Sequence, residues 1–136
     1  MKKNIANKWV KALRSKKFKQ GQDLLCQNIT DSKGKTIKAH CCLGVLCDLY
    51  NEEHTGKNKL KVNYDKDGFY SYNRNPEVLP KKVMDWAGLK SKYGEFTGVC
   101  APKEFRGYES LSELNDGGAS FRTIANFIEK NYEKLW

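Results

Sequence analysis

The chain has 136 residues, 39% of them hydrophobic and 30% charged, with three prolines; this length carries one domain, residues 1–136, and the composition excludes an intrinsically disordered chain. No stretch approaches eighteen consecutive apolar residues, which excludes a membrane-spanning helix, and the opening MKKNIANKWVKALRSKKF lacks the apolar run of an export signal, so a cytoplasmic protein is expected. The net charge of +9 is unevenly placed: residues 1–40 hold eleven Lys or Arg against two Asp, whereas residues 41–136 hold fourteen of each sign.

In chain order, residues 4–15 place Ile5, Trp9, Ala12 and Leu13 at helical spacing, with Lys8, Lys11 and Arg14 turned elsewhere, which predicts an amphipathic first helix. DLLCQNI and TIKAHC, joined by the turn-forming TDSKGK, predict a hairpin. CLGVLCDLYNEEH aligns Leu43, Leu46, Cys47 and Tyr50 on one stripe, predicting a buried helix with Asp48, Glu52 and Glu53 on its wet side. KLKVNYDKDGFYSYN alternates about DKDG and predicts a second hairpin. Pro80 opens a helix that carries Val83, Trp86 and Ala87 inward and ends near Gly88; YGEFTGVCA reads as a further short strand. YESLSELN and SFRTIANFIEKNYEKLW predict a final helical pair, the second helix capped by Ser120 with Phe121, Ile124, Ala125 and Ile128 inward. The expected fold is α+β: a small antiparallel sheet of hairpins, an N-terminal helix, a central buried helix and a C-terminal helical pair.

Five cysteines without an export signal predict reduced thiols. His40, Cys41, Cys42 and Cys47 have the ligand chemistry of zinc, but adjacent cysteines point apart and no second pair completes the set, so buried structural thiols and no metal are expected. The basic opening suits nucleic acid, an acidic membrane surface or an anionic small molecule, and it also serves solubility alone. The Asn115-Asp116-Gly117-Gly118 turn allows close backbone approach to a ligand, and the start of the helix after Ser120 is a natural place for a phosphate. Chain geometry alone also accounts for such a turn. The terminal pair resembles a helix-turn-helix, yet residues 107–136 hold three basic and five acidic side chains, which repels a duplex. DNA binding would therefore fall to the first helix, as a small nucleic-acid-binding regulator, and no specific DNA contact is expected of the last.

Four separated pieces, KWVKALRSKKFKQG, CCLGVLCDLY, LPKKVMDWAGL and LSELNDGGASFRTIANFIE, together resemble the first-described Thoeris anti-defence sponges of phages. Those proteins bind and hide the cyclic ADP-ribose signals made by bacterial TIR-domain defence enzymes. The resemblance spans most of the chain and leaves residues 52–75 unmatched. It implies an α+β homo-oligomer, a dimer or a trimer of dimers, that sequesters a cyclic ADP-ribose isomer uncleaved, with cyclic oligonucleotides as further ligands at separate inter-subunit sites.

The resemblance also implies a ligand-contacting segment. Phe105 would stack on the base, Arg106 and Arg122 would bond phosphate, and Asn115 would bond ribose or adenine. Asp116 would shape the turn, and Thr123 would offer a hydroxyl. Phe121 belongs to the same set, although both phenylalanines also suit a core and both arginines a solvated surface. Nanomolar retention needs about −12 kcal/mol, whereas a ligand of roughly 35 heavy atoms at about −0.3 kcal/mol each reaches around −10; enclosure by a second subunit would close that gap. His40 and His54 have no evident catalytic partner motif, so no enzyme, catalytic residue or cofactor is expected.

Overall fold

The first helix, α1 (Lys3–Arg14), buries Ile5, Ala6, Trp9, Val10, Ala12 and Leu13 in the computed structural model, which describes residues 1–136. It forms because its apolar residues fall on one stripe, and it ends where Ser15 Oγ donates to the Ala12 carbonyl at 2.7 Å. Lys16, at φ +62°, then turns the chain sharply. That reversal lays β1 (Lys19–Gln20) parallel to β3 (Thr36–His40), with Lys19 opposite Ala39 and Gln20 opposite His40.

β2 (Cys26–Thr30) pairs antiparallel with β3 as a five-residue hairpin, in the register Cys26 to His40 and Ile29 to Ile37. Asp31 closes its turn by accepting from the N–H groups of Lys33 and Lys35, both at 2.9 Å. β4 (Val62–Tyr64) and β5 (Phe69–Tyr72) make the second hairpin, which joins through β5 to β2. The sheet order is β1-β3-β2-β5-β4. It is therefore mixed: the expected antiparallel hairpins gain a short parallel edge.

α2 (Cys42–Glu53) buries every residue from Cys42 to Cys47, and Tyr50. Gly44 lies against β2's entry so tightly that a Cβ would stand 1.7 Å from the Leu25 carbonyl oxygen. Asp48, expected on the wet side, is partly exposed there, and its carboxylate also accepts from Tyr72 Oη at 2.7 Å and meets His40 Nε2 at 2.8 Å. α3 (Lys81–Ala87) follows Pro80 and ends at Gly88, whose φ of +75° suits glycine.

The strand expected in YGEFTGVCA does not form; only isolated bridges join Glu95 to Ser110 and Phe96 to Leu135. α4 (Leu111–Asp116) starts in a capping box, with Ser110 Oγ accepting from Glu113 N and the Glu113 carboxylate accepting from Ser110 N. α5 (Phe121–Asn131) starts at Ser120, whose Oγ accepts from Thr123 N at 3.1 Å. It lies against α1, and α1 also contacts α2, where Trp9 Nε1 donates to the Cys42 carbonyl at 2.9 Å. No helix is long and apolar enough to cross a membrane.

Candidate functional site

Gln20, on the two-residue strand β1, holds three distant parts of the chain together. Its Nε2 donates to Asn115 Oδ1 at 2.9 Å and to the Ala119 carbonyl at 2.8 Å. Its Oε1 accepts from the N–H of Phe121, the first residue of α5, at 3.1 Å. The start of α5 is thereby fixed beside the basic segment that leaves α1.

Between them lies a groove of about 1010 Å³, walled by the end of α1, β1, β3 and the first turns of α5. That is at the upper end of the volumes that take small molecules, about 300–1,000 Å³. Six cationic residues line it, Arg14, Lys16, Lys17, Lys19, Lys38 and Arg122, and no acidic one. Three of them have partners: Arg14 pairs with Glu129 at 2.8 Å, Lys17 with Glu52 at 3.0 Å, and the Lys38 ammonium sits 4.6 Å from the centre of the Tyr70 ring. Lys16, Lys19 and Arg122 form no ion pair within the chain. An anion entering the groove would meet these three charges without first displacing a carboxylate.

Phe18 supplies a half-buried aromatic wall. Behind it, 5.1 Å away edge to face, stands His40. Burial opposes a charge on this imidazole, but the Asp48 carboxylate and the neighbouring Cys26 sulfur outweigh that, and its pKa is pushed up to about 9. The His40–Asp48 pair therefore backs the aromatic wall.

A second, smaller cavity of about 420 Å³ adjoins the groove and is lined by Gln20, Gly21, Gln22, Asp23, Gln27, Ile29, Gly118 and Ala119. Gln20 borders both. Ile29 of the small cavity and Ile37 of the groove are direct cross-strand partners, so they share one face of the sheet.

The structure divides the residues expected at a ligand. Arg122 is exposed and lines the groove; Phe121 lines it too, although its ring is mostly core. Thr123 accepts from Ser120 Oγ at 3.1 Å and serves the cap. Asp116 Oδ1 accepts from Asp23 N at 2.9 Å, which ties the turn to the segment before β2.

Asn115 is corrected from ligand contact to internal brace. It is fully buried; its Oδ1 accepts from Gln20 and from Cys42 N, and its Nδ2 donates to the Gly21 carbonyl and Asp116. Those four bonds use the whole capacity of the amide. Phe105 and Arg106 line neither cavity. Phe105 sits in the 3₁₀ turn Lys103–Phe105, half-buried against the core and 6.1 Å from Tyr108.

Sequence reasoning missed Phe18, Lys16, Lys19 and Gln20 as a site. The available signal was the aromatic inside a run of lysines in KKFKQ. Of the residues weighed as zinc ligands, His40 turns to Asp48, and no group of three His, Cys, Asp or Glu side chains is placed to hold a metal.

Residues 1–132 match the family model described as Domain of unknown function (DUF8296). The chain belongs to the DUF8296 family. No curated protein and no solved structure matches it. In this DUF8296 member, the matched region contains all of the groove and all of the small cavity.

Proposed function

We propose that this protein binds and sequesters, without cleaving it, an anionic nucleotide signal of the cyclic ADP-ribose class. In this reading it is a phage anti-defence sponge acting in the cytoplasm of an infected bacterium as a homo-oligomer. The observation that carries the reading is the groove: three unpaired cations, an aromatic wall and a helix start gathered around a space of nucleotide size. A diphosphate between Lys16, Lys19 and Arg122 would gain charge-assisted hydrogen bonds, and Phe18 would face the base.

A compact anion suits these charges better than a duplex does. Lys8, Arg14 and Lys17 of the basic opening are already paired with Glu53, Glu129 and Glu52. That leaves the first helix and its exit with less charge for phosphates than the sequence alone indicates.

The test is to incubate the protein with the products of an activated TIR enzyme, deplete the solution by filtration, and then heat the retained complex. Intact signal released on heating supports sequestration. Altered product would make the protein an enzyme, and no depletion would remove both readings. Retention lost in Phe105→Ala but kept in Arg122→Glu would move the site to the segment named by the resemblance.

A further inference from the structure

The two cavities differ in chemistry while sharing a wall. The groove is cationic; the smaller cavity has carboxamides from Gln22 and Gln27, the Asp23 carboxylate and the backbone of Gly21 and Gly118. Gln27 Nε2 is held by the Gln22 carbonyl at 2.8 Å, which leaves its Oε1 to accept. The Gln22 side chain makes no hydrogen bond within the chain, and Asp23, held at φ +70°, has a carboxylate without an ion pair. A phosphate is repelled by Asp23, whereas hydroxyl and amino groups find acceptors there. The small cavity therefore disfavours an anion and suits a donor-rich group.

Resting on the proposed nucleotide reading, we infer that the two cavities receive the two parts of one ligand. Its phosphates lie in the groove at Lys16, Lys19 and Arg122, and a hydroxyl-bearing ribosyl group lies in the small cavity at Gln22, Asp23 and Gln27. Gln20, common to both walls, sets the spacing between the parts, while the Ile29–Ile37 pair supplies continuous apolar floor. The ligand class is thus a pyrophosphate bearing an uncharged sugar, and inorganic pyrophosphate is an incomplete version of it.

Calorimetric titration of the full chain with inorganic pyrophosphate and with linear ADP-ribose separates this inference from the reading beneath it. The wild type is expected to bind ADP-ribose at least about tenfold more tightly than pyrophosphate, a margin that the base on Phe18 and one or two good hydrogen bonds in the small cavity supply together, and the Gln variants isolate the second part. Gln22→Leu, which breaks no internal bond, and Gln27→Leu should each shrink that ratio several-fold while leaving pyrophosphate affinity unchanged. Unchanged pyrophosphate binding also reports an intact fold. Arg122→Ala should weaken both ligands alike.

Equal affinity of the wild type for the two probes, or an undiminished ratio in both Gln variants, would overturn the bipartite site and leave the anion groove standing. Absence of binding by both probes would overturn the groove itself.

Discussion

Gln20 Nε2 donates to Asn115 Oδ1 at 2.9 Å across 95 residues of sequence, and this bond ties the edge of the sheet to the end of α4. Both partners are otherwise satisfied, so removing either strands a buried group. Asn115→Ala leaves Gln20, the Cys42 N–H and the Gly21 carbonyl short of partners and should cost about 2–4 kcal/mol. Urea unfolding measures it; a loss below about 1 kcal/mol would show that the amide is not a brace. Asn115→Trp should prevent folding altogether, since it forces a far larger side chain into a fully buried position.

Charge reversal in the groove separates binding from stability. Arg122 is exposed, so Arg122→Glu should alter unfolding free energy by only about 0.5 kcal/mol. The same change should reduce retention of an anionic nucleotide by about tenfold or more at low salt, because it replaces an attraction with a repulsion. Calorimetry across a salt series reads both the loss and its screening. Unaltered affinity would place the anion elsewhere.

His40 gives stability a pH dependence of defined sign. Its folded-state pKa stands above the ordinary 6.5, at about 9, so the protonated imidazole favours the folded chain. That contribution is whole below pH 6.5 and disappears as the pH rises through about 9. Urea midpoints between pH 6 and 10 should fall by the equivalent of about 3 kcal/mol on this account. His40→Gln should flatten the profile; an identical slope in the variant would assign it to other groups.

Gly44 tests how closely α2 approaches β2. By helix propensity alone Gly44→Ala would stabilise by about 1 kcal/mol. The Cβ would, however, lie 1.7 Å from the Leu25 carbonyl oxygen and 2.6 Å from its carbon, and backbone cannot yield as a side chain can. The steric cost wins, and the variant should lose at least about 3 kcal/mol or fail to fold. Circular dichroism and thermal melting decide; a more stable Gly44→Ala would mean a looser contact.

Thiol accessibility reports the placement of the cysteines. Cys100 is exposed, whereas Cys26, Cys41, Cys42 and Cys47 are buried. Burial also pushes the Cys41 thiol up to about 12 and those of Cys42 and Cys47 well above their ordinary value. Brief iodoacetamide treatment should add one label to the native chain, at Cys100, and five in urea. Native labelling at Cys42 or Cys47 would contradict the packing of α2.

Local pattern alone determined α1, α2, α5 and the two hairpins, because Ile5, Trp9 and Leu13, or the turn chemistry of Asp31 and Asp65, act within a few residues of one another. The same holds for the Ser120 cap and for the concentration of charge before residue 41. The tertiary structure alone decided that β1, only two residues long, pairs in parallel with β3, and that Phe18 and Lys19 share a groove with Arg122. It likewise made Asn115 a brace rather than an exposed amide, and set the partly exposed Asp48 carboxylate against His40 and Tyr72. These relationships depend on side chains up to about a hundred residues apart meeting after the chain has closed. No periodicity encodes them, because their free energy exists only once the core has paired the elements that carry them.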